Sequence, residues 1–415
     1  MLKRLVICLP AICLLAIAPA AYEARADVLQ DAIARLTQEQ QSRLKAYEAA
    51  HIAFAHRADQ YWRLIELKRR KRKAKFAAGP DVTPADYVAE QPPVYKGPAR
   101  PDDVMKLLPK PPAPPVELRE PVPVVADFLR QADEVYGFRP DRVSEDDFMI
   151  FYAMEAIRLG LTRDQVVRLY ALETGGMGTQ DLQSGYNPRT GHAASTALGY
   201  AQLLAANTIE QLRKEGPEFV ARLEREASDG SVPEGKAASL RLKAAILRRM
   251  IADARKVREN WPAHVAYAKT SRGIAMHALN LDGDIGPWMQ VVKLKGIKEY
   301  AAKKGMGTLT GAQLELMNLA GPAHGFEMME PVGRTMPTSN FFERKGYERN
   351  PVAAGKTGAQ LLAKLDEIMD RNVQRQGAQR FASIFDSIAR RLASGQRGHS
   401  SAQAAPQTFG LFNQR

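Results

Sequence analysis

A carboxylate that shares a helix face with apolar side chains is the first residue here that could do chemistry. Glu173 lies three, four and seven positions after Tyr170, Leu169 and Val166, so in a helix it points where they point. Burial raises the pKa of a carboxyl group, and a general acid working near neutral pH requires a raised pKa. Gly175 and Gly176 follow directly and would break the helix, leaving the side chain at a cleft edge. The same geometry also suits a helix-end glutamate bonded to an arginine, the more frequent outcome for such a position taken alone.

Other chemistries find little support. The seven histidines are scattered, without a His-Glu-x-x-His pair, and the only cysteines are Cys8 and Cys13, so no metal site is expected. Asp282-Gly283-Asp284 lacks the remaining ligands of a calcium loop and reads as a turn between helices. There is no phosphate loop and no Gly-x-Ser-x-Gly, and no cofactor is implied. Asp181, the nearest acid in sequence to Glu173, sits in a Gly/Ser/Asn-rich loop from Gly178 to Gly191 and reads as a solvated loop residue. Were it to face Glu173, hydrolysis by a positioned water would follow.

Three short elements change the weight on Glu173. The first is Glu173-Thr174-Gly175-Gly176. The second is Ser195-Thr196-Ala197-Leu198-Gly199-Tyr200-Ala201-Gln202-Leu203-Leu204, followed by Asn207-Thr208. The third is Met317-Asn318-Leu319-Ala320-Gly321-Pro322. In this order they resemble the core of the soluble lytic transglycosylases. In that family a Glu-Ser pair ends a helix, a Gly-x-Met-Gln-hydrophobic segment precedes a helix that begins at a Thr, and an Asn-Ala-Gly follows a tyrosine. The resemblance covers about residues 145–350. Thr174 stands for the usual Ser, Ala201 for Met, and Met317 for the tyrosine before the Asn; the spacings between elements are also longer than usual.

The resemblance implies a mainly α, lysozyme-like fold with minor β structure, and cleavage of the β-1,4 bond between N-acetylmuramic acid and N-acetylglucosamine in peptidoglycan. Glu173 would protonate the glycosidic oxygen and then act as base for the sugar's own 6-hydroxyl, giving an anhydro product. Such chemistry needs one carboxylate, where most glycosidases use two. Thr174, Tyr200, Gln202 and Asn318 would contact substrate. The amides of Gln202 and Asn318 suit N-acetyl groups and hydroxyls, although capping of backbone inside the fold is an equal reading. Tyr186, Tyr200 and Tyr347 could stack on sugar faces, but single tyrosines more often pack. The run Thr338 to Phe342 is polar and aromatic enough to line a groove. Two further readings stay open: an envelope-binding or assembly protein without catalysis on the same fold, and a lysozyme-type hydrolase.

Helices must position these residues. Reciprocal side-chain caps predict starts at Ser144 with Asp147, Thr162 with Gln165, Thr208 with Gln211 and Thr310 with Gln313. Further helices are expected over 237–260, 262–280 and 287–304. No sustained period-2 pattern announces a large sheet. The resemblance-bearing domain is placed at 124–355, with C-terminal helices at 356–393 and a disordered tail at 394–415.

The N-terminal part is read separately. Lys3 and Arg4 precede an uncharged run from Leu5 to Ala21, and Ala24-Arg25-Ala26 fits a signal-peptidase site. Residues 1–26 are expected to be a cleaved export signal, with an uncleaved anchor as the competing reading, and the location is expected to be periplasmic or cell-envelope. Residues 27–79 read as a helix ending in the basic run Lys68 to Lys75, a solvated helix end or a contact to an anionic envelope surface. Between Pro80 and Pro123 stand 13 of the chain's 26 prolines, which predicts a semi-rigid linker over 80–123. The net charge of +13 would suggest nucleic acid in a cytosolic protein; export leaves anionic envelope polymers as partners instead.

Overall fold

A computed structural model of the chain describes residues 28–79, 81–109 and 121–398. The expected signal segment, the prolines at 111–115 and the tail from 399 lie outside the described residues. The described chain is mainly helical. Its extended pairings are isolated antiparallel bridges, Gln183 with Leu198, Asn187 with His192, Leu198 with Leu203 and Pro337 with Thr357.

Two compact units are present, one drawn from Met1–Lys73 and Glu90–Arg119, the other from Ala74–Ala89 and Glu120–Arg415. The first holds α1 (28–34), most of α2 (Gln38–Ala78) and α3 (Asp102–Met105). Its small core joins Leu36, Leu44 and Val104, with Ile33, Met105 and Leu108 packed around them. The proline-rich stretch is therefore more than a linker. Val104 is buried in the first unit, and Tyr87 and Val88 are buried in the second. There Tyr87 donates to Glu327 Oε1 at 2.8 Å, and the Asn340 amide brackets Val88, accepting from its N–H and donating to its carbonyl, both at 2.9 Å. Proline bars these segments from helix and sheet ladders but leaves the intervening backbone free to pair with side chains.

The second unit runs α4 (Val125–Tyr136), α5 (Glu145–Arg158), α6 (Arg163–Glu173), α7 (Ala205–Lys214), α8 (Gly216–Ala227), α9 (Glu234–Arg255), α10 (Trp261–Tyr267) and α11 (Ser271–His277). It continues with α12 (Gly286–Lys303), α13 (Gly311–Ala320), α14 (Pro322–Met329), α15 (Arg344–Arg349), α16 (Gly358–Asn372) and α17 (Gln376–Gly398). The caps at Ser144, Thr162 and Thr310 form as expected, each side chain accepting from the N–H three residues on. The expected start at Thr208 does not. Helix α7 begins four residues earlier, where Asn207 Oδ1 accepts from Leu204 N–H, and Thr208 is buried inside it. Its hydroxyl pairs with His277, a tertiary partner that local sequence cannot reveal. The helix expected over 262–280 is broken at Thr270, which caps α11 by accepting from Gly273 N–H.

Helix α12 is the element on which both cores meet. Trp288, Met289 and Val292 belong to a cluster with residues of α4, α7, α8, α9 and α11. Val291, Leu294, Ile297 and Ala301 belong to a second cluster with α5, α6, α13 and α17. A helix apolar on most of its circumference is a buried helix, and each fully buried Val, Leu, Ile or Met on it contributes on the order of 1.5–3 kcal/mol. The entry to α12 is fixed by the Asp282-Gly283-Asp284 turn. Asp282 is wholly buried, accepts from the N–H groups of Asp141, Asp284 and Ile285, and pairs with Lys243 at 2.9 Å.

Candidate active site

Glu173 is the last residue of α6. Thr174 continues no helix: its hydroxyl turns back to donate to the Tyr170 carbonyl at 2.6 Å. Gly175 and Gly176 then take left-handed backbone with φ of 66° and 72°. At Gly176 a Cβ would collide with the Asn372 carbonyl oxygen, so the break after Glu173 depends on glycine for space as well as conformation. The carboxylate thus sits where the helix presents unsatisfied carbonyls, whose partial negative charge disfavours ionisation.

Opposite it stands α13. Asn318 Nδ2 donates to Glu173 Oε1 at 2.9 Å and to Glu315 Oε2 at 3.1 Å. The first and third elements read from sequence therefore meet at one amide, although 145 residues apart. The Asn318 Oδ1 atom is buried and has no hydrogen-bond partner among the described residues. From α12, Lys293 places its charge near both carboxyls, and from α5 the buried Tyr152 feels the Glu173 charge.

These groups shift one another in a consistent sense. Burial pushes Glu173 above the ordinary carboxylate range, against the opposing pull of Lys293 and of the Asn318 amide. Glu315 is only 2% exposed and is raised well above that range, first by burial and then by Glu173. Lys293 is lowered by burial, while the negative charges of Glu173, Glu315 and Glu210 oppose the shift. One lysine faces two carboxyls, so ionising both would leave an uncompensated charge out of water. Glu315, the more buried, is pushed further toward its protonated form.

Glu315 and Lys293 were not singled out from sequence. A helical signal existed: Glu315 lies three residues before Asn318 within Leu314-Glu315-Leu316-Met317, which puts both side chains on one face of a helix. Lys293 likewise sits among Val291, Val292, Leu294 and Ile297.

The second element plays a different part from the one expected. Tyr200 is fully buried, with its hydroxyl donating to Glu145 and its ring edge-on to Tyr170 at 4.7 Å; it is a packing residue, not a sugar platform. Gln202 has a φ of 43°, the left-handed region rarely visited by residues with a Cβ. Its Nε2 holds that turn by donating to the carbonyls of Gly199 at 2.8 Å and Leu182 at 3.0 Å, which is backbone capping. Gly199 has a φ of 77° and a Cβ there would strike Gln290. Gln290 Oε1 in turn accepts from Ala201 N–H at 3.1 Å. Gln290 and Lys293 are three apart on α12, so one helix face anchors the second element and carries the cation of the site.

Other expected positions lie elsewhere. Asp181 pairs with Arg142 at 2.5 Å and accepts from Thr179 Oγ1 at 2.6 Å, with Glu145 rather than Glu173 in its field. Tyr347 is buried and its hydroxyl accepts from Gly355 N–H at 2.8 Å. The run Thr338 to Phe342 is core, not groove lining. Tyr186 is exposed at 48%. An open groove of about 330 Å³ lies at α8 and α9, lined by Pro217, Val220, Ile251, Arg248 and Arg255 among others, and Glu173 does not line it. No helix of the described residues is long and apolar enough to cross a membrane. Comparison with family models, with curated proteins and with solved structures finds no match.

Proposed function

We propose that this chain is an exported peptidoglycan lytic transglycosylase of lysozyme-like architecture, with Glu173 as its acid and base. The observation that carries the reading is the Asn318 to Glu173 hydrogen bond at 2.9 Å. It joins two of the three elements that resemble the soluble lytic transglycosylases, and it does so at a half-buried carboxyl whose pKa is raised.

The chemistry follows from the atoms present. Asn318 occupies Oε1, leaving Oε2 of Glu173 to carry the proton. That proton passes to the glycosidic oxygen as the bond from C1 of N-acetylmuramic acid breaks. The carboxylate formed is stabilised by the Asn318 N–H and the Lys293 charge. It then takes the proton of the 6-hydroxyl as O6 bonds to C1, closing the 1,6-anhydro ring and restoring the acid. Glu315 is poorly placed to be the second carboxylate of a hydrolase, because it is buried and burial favours its protonated form, whereas a base that activates water must be ionised and face the sugar.

Digestion of purified sacculi with the full mature chain and with Glu173→Gln tests this. Anhydro-muropeptides from the wild type alone are expected. Products with free reducing ends would make the enzyme a hydrolase. Sacculi left intact but still bound would make it a non-catalytic envelope-binding protein.

A further inference from the structure

The cluster holds one ionisable group more than the proposed chemistry uses. Glu315 is buried beside Glu173, its Oε2 on the same Nδ2 that serves Glu173. The two carboxylate oxygens are thus no farther apart than those two bonds laid end to end, about 6 Å. Asn318 has two N–H groups and commits one to each carboxyl. Among the described residues the charges acting on Glu315 are those of Glu173 from α6 and Lys293 from α12; Glu210 acts on Lys293 in turn, and Tyr152 faces Glu173 from α5.

We propose that Glu315 is a positioning residue of this site: a buried carboxylic acid that stores a proton and, through Asn318 and its own charge state, sets the acidity of Glu173. The inference rests on Glu173 being the acid of the reaction. Three physical points support it. A carboxyl this deep, with a second carboxyl close by and one shared cation, is neutral while Glu173 titrates. A neutral Glu315 still offers its carbonyl oxygen to Asn318, which holds the amide oriented toward Glu173. Ionisation of Glu315 at higher pH would place a negative charge near Glu173 in a poorly solvated setting, where such interactions are strong. Glu173 is ionised by then, so the two charges repel and Glu315 gives up its proton only above the Glu173 step. The pair titrates as a unit with two macroscopic steps, the lower of them mainly that of Glu173.

The test is a carboxyl carbon-13 NMR titration of Glu173 in the full mature chain, in wild type and in Glu315→Gln. Glutamine keeps the acceptor for Asn318 and cannot ionise. The wild type should show a main step and a second, smaller step at higher pH; Glu315→Gln should show the main step alone. Identical two-step curves, or a single step in both, would overturn the proposal. Glu173→Gln gives the reciprocal measurement if Glu315→Gln does not fold: the Glu315 resonance should titrate at lower pH than in wild type, and an unchanged midpoint would equally refute the coupling. The sacculus digestion is scored apart. A wild type that cleaves nothing removes the catalytic reading and leaves the titration to judge the coupling. A wild type that cleaves should lose activity as Glu173 ionises, along a limb that Glu315→Gln leaves in place because Glu315 is uncharged there, and a limb displaced by that substitution counts against the proposal.

Discussion

His277 predicts how this fold fails in acid. The ring is wholly buried. Its Nε2 lies 2.8 Å from the Thr196 carbonyl, which can only accept, so the proton resides on Nε2. Nδ1 must then accept, taking the Thr208 hydroxyl at 2.9 Å and approached by the Asn280 amide at 3.2 Å. A second proton on Nδ1 would force the Thr208 hydroxyl to turn and accept and would put a charge in the core, and burial holds the group down to about 4 from an ordinary 6.5. The unfolded chain takes up the proton near pH 6.5 and the folded chain refuses it until about pH 4. Stability present above pH 6.5 is therefore lost as the pH falls toward 4. At about 1.4 kcal/mol per pH unit the loss is about 3 kcal/mol. Urea unfolding of wild type and His277→Gln between pH 7 and pH 4 measures it. The wild type should lose about 3 kcal/mol more than the variant over that range. Parallel stability curves for the two proteins would refute the assignment. The site would feel this loss directly, because Thr196 also caps the start of α7, its Oγ1 accepting from Ala205 N–H at 3.1 Å, just beyond the Gln202 turn.

Three more outcomes follow. Asn318→Leu removes a donor from two carboxyls at once; it should cost about 1–3 kcal/mol of stability in urea unfolding near neutral pH and move the Glu173 carbon-13 midpoint upward, since the Asn318 hydrogen bond favours the ionised form. Tyr200→Phe deletes only the bond to Glu145; binding to isolated sacculi should be unchanged while stability falls by about 1 kcal/mol, and weakened binding with unchanged stability would restore Tyr200 as a substrate contact. Lys243→Met leaves Asp282 charged and buried without its cation; a loss of about 3–5 kcal/mol is expected, seen as a lower melting temperature.

Much of the helical framework was readable because its signals are local. Thr162 with Gln165 and Thr310 with Gln313 cap α6 and α13 through bonds three residues apart, so the two helices that carry Glu173 and Asn318 could be placed before any tertiary contact was known. Thr208 shows where this reading stops. Its spacing to Gln211 matches a capping box, yet its hydroxyl is taken by His277 from another helix. Tyr200 fails for a related reason. A tyrosine beside a glycine-rich turn looks available to a ligand, and only the packing of Phe148, Tyr152, Tyr170 and Phe381 around it removes it from solvent.

What the sequence determined by itself was the identity and placement of Glu173: an acid on an apolar helix face, stopped by two glycines. Helical period and glycine conformation are properties of a few consecutive residues. The surroundings of that acid were decided only by the tertiary structure. Asn318, Glu315 and Lys293 lie on helices more than a hundred residues away in the chain, and whether a carboxyl is paired, neutralised or solvated depends on distances of a few ångströms. Helix packing sets those distances, and periodicity within any one helix carries no record of them.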